Sequence, residues 1–98
     1  MGYDFEFTSS AVEDLNGIIK HNPSLAVQLI TDHIPTIVRD PKAAGEKKKG
    51  ELSHLRARGF TFRGVAYRLV YEIDDAAQVV TFIALGIHDE AYRRARGR

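Results

Sequence analysis

Two hydrophobic periods divide this chain, and their order limits what it can fold into. Between Leu25 and Val38 the residues Leu25, Ala26, Leu29, Ile30, His33, Ile34, Ile37 and Val38 recur every third or fourth position. That spacing lays one broad apolar stripe along a helix. From Phe60 onward the pattern changes: Phe60, Phe62, Val65, Tyr67, Leu69, Val70, Tyr71 and Ile73 are β-branched, aliphatic or aromatic, as strands prefer. A helical front half and a strand-forming back half predict an α+β layout, with helices segregated to one face of a sheet.

Turn and cap signals refine this outline. Tyr3 to Phe7 reads YDFEF, a strict alternation that predicts a short half-buried strand. Ser10 and Glu13 have the spacing of a capping box, and Val12, Leu15, Ile18 and Ile19 follow at helical spacing. Gly17 weakens this helix, and His21-Asn22-Pro23 ends it. Asn22 is placed to cap a second helix with Pro23 at its first position, where a missing N–H costs nothing. Pro35 lies inside that second helix and predicts a kink or an early end. Residues 41–51, PKAAGEKKKGE, read as a polar loop. Gly64 and Asp74-Asp75 mark turns, and the nearly continuous apolar run from Val79 to Leu85 predicts a central strand covered on both faces. Asp89 to Arg96 reads as a short final helix, with arginines suitably placed at its C-terminal end. The expected architecture is one domain over residues 1–98. Two N-terminal helices pack on one face of a mostly antiparallel sheet of about four strands, a short C-terminal helix follows, and the opposite sheet face stays partly open.

Composition excludes several chemistries. The 98 residues include no cysteine, so disulfides, thiolate metal sites and a cysteine nucleophile are ruled out. His21, His33 and His54 show no metal-ligand spacing, and no GxGxxG, P-loop or HExxH occurs. No metal and no cofactor are expected. The apolar runs fall short of a membrane span, and MGYDFEFTSS lacks the basic region of a signal peptide. A cytoplasmic protein with no membrane contact is the expectation. The net charge of +1 conceals a split. Residues 1–40 hold two basic against six acidic side chains, and residues 41–98 hold twelve basic against seven acidic. A chain polarised in this way steers polyanions toward one half.

The ending GIHDEAYRRARGR concentrates reactive groups. His88 and Tyr92 stand four residues apart, one helical turn, and Arg93, Arg94, Arg96 and Arg98 follow. An imidazole takes and gives protons near neutral pH, and nearby cations lower the pKa of a phenol. Arg68 sits within AYRLVYEID, where alternation places it with Val70 and Glu72 on the face opposite Tyr67, Leu69 and Tyr71. It either projects from the open face as a bidentate phosphate ligand or pairs with a carboxylate on a neighbouring strand. Arg56, Arg58 and Arg63 lie on or near the preceding strand, where they would add to the same positive region. Lys47, Lys48 and Lys49 form either a solvated loop or a further phosphate contact. His33, on the apolar stripe, reads as a satisfied core histidine rather than a ligand.

In this order of elements, with AYRLVYEID followed by VVTFIALGIHDEAYRR, the whole chain resembles the RelE/ParE superfamily of toxins from type II toxin–antitoxin pairs. The match is most specific over residues 67–92. The RelE-like branch cleaves messenger RNA in the ribosomal A site without metal, by attack of the ribose 2′-hydroxyl on the adjacent phosphate. The resemblance implies that Arg68 contacts the scissile phosphate and that His88 and Tyr92 take acid–base roles. It also implies that Arg56, Arg58, Arg63, Lys47, Lys48, Lys49, Arg93 and Arg94 hold the RNA backbone. The implied partners are a cognate antitoxin, in a toxin–antitoxin hetero-oligomer, together with messenger RNA and the ribosome. The ParE-like branch instead implies non-catalytic inhibition of DNA gyrase, and a module that binds antitoxin without toxicity is a third reading. This chain departs from the RelE-like pattern in three ways: His88 falls where RelE carries a second arginine, Tyr92 follows it at a shorter spacing, and the third lies on the strand before the arginine strand. That branch carries lysines on the strand before the arginine strand, where this chain has Gly59 and Thr61.

Overall fold

The structure, a computed structural model, describes residues 2–87 together with residues 95 and 96. Strand β1 (Asp4–Phe7) leads directly into helix α1 (Ser9–His21). Thr8 is the cap. The Phe82 carbonyl holds its amide at 3.1 Å, and its hydroxyl accepts the Ala11 amide at 3.1 Å. The helix therefore starts earlier than the Ser10–Glu13 spacing suggests, because pairing across to Phe82 fixes Thr8 in the extended conformation a cap needs.

The second apolar stripe forms α2 (Pro23–Gln28), a π-helical turn (Leu29–His33) and α3 (Ile34–Arg39). Asn22 caps α2 as the sequence indicates, accepting the Leu25 amide at 3.4 Å. Pro35 neither ends the helix nor merely kinks it. The turn before it widens, so that the Ile34 amide reaches the Leu29 carbonyl. Hydroxyls of Thr31 and Thr36 donate to the Val27 and Asp32 carbonyls at 2.7 and 2.8 Å. An inserted π turn accommodates the proline ring while the helix continues. Leu29, His33, Ile34 and Ile37 all remain buried.

The segment expected to be a polar loop contains helix α4 (Pro41–Ala44), strand β2 (Glu46–Lys47) and a 3₁₀ turn (Gly50–Leu52). Asp40-Pro41 repeats the logic of Asn22-Pro23, a capping side chain followed by proline: Asp40 accepts the Ala43 amide at 3.4 Å.

Strands β3 (Arg56–Phe62), β4 (Val65–Asp74) and β5 (Val79–Ile87) complete a five-stranded sheet ordered β1-β5-β4-β3-β2. Only the β1–β5 pairing is parallel. The β3–β4 hairpin turns through Arg63 (φ 50°) and Gly64 (φ 81°), the double positive φ of a type I′ turn. Between β4 and β5 the register shifts: Val70 faces Ala84, but Tyr71 faces Phe82. Ile83 is the extra residue of a bulge. As a result Phe82 and Leu85 enter the helix-side core, while Ile83 and Ala84 both join the cluster on the other face. This explains why β5 reads as an unbroken apolar run.

The helix-side core packs Leu25, Leu29, Ile34 and Ile37 against Leu69, Tyr71, Val80, Phe82 and Leu85. Phe7 stacks on Phe82 with ring centroids 4.8 Å apart. Each large side chain buried there contributes about 1.5–3 kcal/mol. The opposite face carries a thinner cluster of Leu55, Ala57, Val70, Ile83, Ala84 and Ala95. Past the end of β1, an Asp14 carboxylate oxygen from α1 accepts the Leu85 amide at 3.1 Å. Of the final helix expected over residues 89–96, the described residues Ala95 and Arg96 are helical, and the rest lies outside the described residues. Among the described residues no helix is long and apolar enough to cross a membrane.

Candidate phosphate-binding cleft

Alternation along β4 sends Tyr67, Leu69 and Tyr71 toward the helices and Arg68 to the opposite face. Its neighbours across the sheet are Gly59 on β3 and Gly86 on β5. Two glycines leave the long side chain room to lie flat. The guanidinium rests over Gly59: a Cβ added at that glycine would fall on Nη1 and Cζ and stand 3.0 Å from Nε. Nη1 donates to the Tyr67 carbonyl at 3.2 Å. Among the described residues Arg68 has no carboxylate partner, so the cross-strand ion pair is not the arrangement found. Of the five N–H donors of a guanidinium, this single bond engages one.

Arg68 faces a polar cleft of about 320 Å³. Residues 43–46 form one wall, and Ala57, Arg58 and Gly59 form the other. The cleft exists because β2 pairs only with Arg56 and Ala57, so that among the described residues no strand covers the edge of β3 from Arg58 onward.

Arg58 reaches this cleft from the other side of β3. It pairs with Leu69 and so belongs to the helix-facing side. Its Nε donates to His33 Nδ1 at 3.1 Å, and its Nη1 donates to the Ala44 carbonyl at 3.2 Å. His33 is 4% exposed and stacks on Phe60 with ring centroids 3.9 Å apart. Because Arg58 is always a donor, Nδ1 must carry the lone pair and Nε2 the proton. The structure places the Gln28 amide nitrogen 3.3 Å from this Nε2, so a hydrogen bond between them requires the amide turned over, with its oxygen accepting from the ring. Burial holds the His33 pKa below its usual value; Asp32 opposes this, and the Arg58 charge adds to it. The imidazole is a structural acceptor, as its place on the apolar stripe suggests.

The other cations do not share this cleft. Arg56 donates from Nη1 to the carbonyls of Lys42 and Gly45 at 3.1 and 3.4 Å. Together with Arg58 it ties the end of α4 to β3, satisfying carbonyls that a helix C-terminus leaves open. Arg63 stands at the hairpin tip, its guanidinium 5.1 Å from the centre of the Phe62 ring. The expectation that Arg56, Arg58 and Arg63 form one positive region with Arg68 is therefore corrected. Strand alternation sends Arg56 and Arg58 to the opposite side, and only Arg58 meets Arg68, at the strand edge. Lys47 pairs opposite Arg56 and is exposed, as is Lys49, while Lys48 is half-buried with its amide on the Leu55 carbonyl at 3.0 Å. His88, Tyr92, Arg93 and Arg94 lie outside the described residues.

Two residues escaped the sequence reading. Tyr71 is fully buried, and its hydroxyl donates to the Pro41 carbonyl at 2.6 Å. Burial pushes its pKa up to about 12, so the phenol is a fixed donor and not a base. Gly59 is the other. Its signal was a glycine inside a strand, which marks a close approach by something else.

A two-layer α+β fold of this kind is shared with small bacterial toxins. The chain belongs to the ParE-like toxin family of type II bacterial toxin–antitoxin systems, which matches residues 11–96. It is 30% identical over 94 residues to toxin RelG of Mycobacterium tuberculosis, covering 96% of this chain and 100% of that toxin. Its fold is similar to a chain of the toxin–antitoxin complex RelBE2 from the same organism, with a TM-score of 0.73 and 26% identity over 90% of this chain and 100% of that one. It is also similar to a mutant of Escherichia coli toxin RelE in the free state, with a TM-score of 0.70 and 24% identity, covering 100% of this chain and 98% of that one.

Proposed function

We propose that this toxin is a metal-independent endoribonuclease that cuts messenger RNA on the ribosome. One observation carries this reading: an arginine in the middle of the sheet with most of its donors uncommitted and no carboxylate partner among the described residues, facing a polar cleft. In this scheme the ribose 2′-hydroxyl loses its proton and attacks the adjacent phosphate. The bond to the 5′-oxygen of the next nucleotide breaks and that oxygen is protonated, leaving a 2′,3′-cyclic phosphate. Arg68 stabilises the charge that builds on the phosphoryl oxygens. Preorganised donors of this kind are worth roughly 10²–10³ in rate. His88 and Tyr92 share the proton transfers, each contributing roughly 10²–10⁴-fold. Arg93, Arg94 and Lys47 to Lys49 hold the RNA backbone. The test is primer extension on a translated message with wild type, Arg68→Ala, His88→Ala and Tyr92→Phe. Strong loss of cleavage is expected in each variant, and undiminished cleavage by Arg68→Ala would sink the assignment.

A gyrase-directed toxin is the second reading, favoured by Gly59 and Thr61 where the RelE-like branch carries lysines. A plasmid supercoiling assay run beside in vitro translation separates the two, since a gyrase inhibitor spares translation.

Under either reading the toxin is held by an antitoxin. RelBE2 is a toxin–antitoxin complex, and so is the structural relative YoeB–YefM from Staphylococcus aureus. Here an apolar groove of about 770 Å³ runs between β1, α1 and α3, with Phe5, Phe7, Leu15, Ile30, Ile34 and Val38 along it. Phe5 is 52% exposed. An apolar antitoxin segment docked there would cover that surface. Co-expression with the adjacent reading frame should yield a stoichiometric complex, and Phe5→Asp should weaken it.

A further inference from the structure

We propose that the cleft at the free edge of β3 is an RNA-backbone subsite with two cations, Arg68 and Arg58, and that Gly59 is the positioning residue that sets where the Arg68 guanidinium stands. The inference rests on the RNA-cleaving reading, in which Arg68 already acts, and adds the placement of Arg58 beside it and the positioning role of Gly59.

The case for Gly59 begins with its backbone. Gly50, Gly64 and Gly86 have positive φ, whereas Gly59 does not. Nothing in its conformation calls for glycine, and a glycine inside a strand weakens it. What calls for glycine is space. The volume of a side chain at residue 59 is taken by the guanidinium of Arg68. The charge that β4 supplies is thereby delivered over β3, at the wall of the cleft. Any side chain at 59 would push the tip of Arg68 elsewhere. The displaced group is the far end of a flexible side chain, so the strand pairing need not change.

Arg58 supplies the second cation. Two bonds, to His33 and to the Ala44 carbonyl, hold it in place and leave up to three of its five N–H donors. A fixed guanidinium and a seated one on the same small cleft suit the two non-bridging oxygens of a phosphodiester. Glu46 also lines the cleft without pairing with either arginine. Its charge opposes phosphates and acidic side chains alike, but its carboxylate accepts a hydrogen bond from a ribose hydroxyl, a donor that a run of acidic side chains lacks.

The test follows the arginine Nε–H resonances by NMR while inorganic phosphate, and separately a short 2′-O-methyl RNA, are added. The proteins are wild type, Gly59→Ala, Arg58→Lys, Arg68→Ala, the Gly59→Ala/Arg68→Ala double variant and, as a charge control, Lys20→Ala. In wild type both the Arg58 and Arg68 signals should move. Gly59→Ala should melt like wild type yet bind the RNA and cleave message roughly tenfold less well, the scale of one charge-assisted contact. In the Arg68→Ala background the same change should cost nothing further, because Gly59 acts only through Arg68. Arg58→Lys should keep the salt dependence of RNA binding while losing affinity, since charge stays and the fork goes. Static arginine signals, or a Gly59→Ala loss of equal size with and without Arg68, would overturn the proposal. If the signals move and Gly59→Ala abolishes the Arg68 response, but wild type leaves translated message intact, the subsite stands and the nuclease reading fails. If message is cut normally by both Gly59→Ala and Arg58→Lys, the subsite fails and the nuclease reading stands.

Discussion

On the helix side of the sheet, Leu69, Tyr71, Phe82 and Leu85 of β4 and β5 are buried under α1, α2 and α3; on the other side β3 and β5 present Ala57, Gly59, Ala84 and Gly86 around Arg68. One set of backbone hydrogen bonds supports both faces, yet among the described residues every buried aromatic ring lies on the first, and the second mixes Leu55, Val70 and Ile83 with small residues around Arg68. The crowded face carries the apolar burial that holds the domain together. The sparse face gives a long cationic side chain space to lie across its neighbours and leaves a cleft beside it. Apolar burial and the exposed strand cation are thus divided between the two sides of β4, one residue apart.

Substitutions can break or sharpen this contrast. The largest stability loss is expected from Phe82→Ala, about 3–5 kcal/mol for a large cavity in the crowded core. Ile83→Val, one residue on but facing the thinner cluster, should cost about 0.5–1.5 kcal/mol. Urea denaturation checks both, and equal losses would erase the distinction between faces. Arg68→Ala should reverse the order, lowering cleavage by roughly 10²–10³ while leaving the urea midpoint in place; a shifted midpoint would make Arg68 structural. Asp14→Ala exposes how α1 is fastened to β5. Loss of the acceptor for the Leu85 amide should cost about 1–3 kcal/mol. The smallest effect is pH dependence through His33. Burial lowers its pKa in the folded state, so the neutral ring is favoured by folding. Its contribution is complete above about pH 6.5, the ordinary histidine value, and is lost as pH falls through the lower folded value. Urea midpoints measured from pH 7.5 to 5 should decline, and His33→Asn, which keeps an acceptor for Arg58, should flatten that part of the decline.

The α+β layering, the β4 alternation that turns Arg68 away from the helices and the Asn22 cap were legible because each depends on spacing within a few residues. The π turn was not. Pro35 announced a disturbance, but how it was absorbed depended on Thr31, Thr36 and the packing of Leu29 and His33. The bulge at Ile83 turned an apparently featureless apolar run into two separate faces, which only strand pairing could show. The fate of the strand arginines was hidden for the same reason. Arg56 and Arg58 read as surface cations, but the carbonyls they bind come from α4, a helix whose position relative to β3 no local pattern encodes.

The pairing of β1 with β5 has a consequence for how a cell makes this toxin. Asp4 to Phe7 must wait for Val79 to Phe82 before its ladder can close. During synthesis the first strand therefore emerges long before its neighbour exists, and contacts so distant in sequence form late. The sheet cannot close until β5 has been made, so the first strand of the described fold is locked in place only by its last.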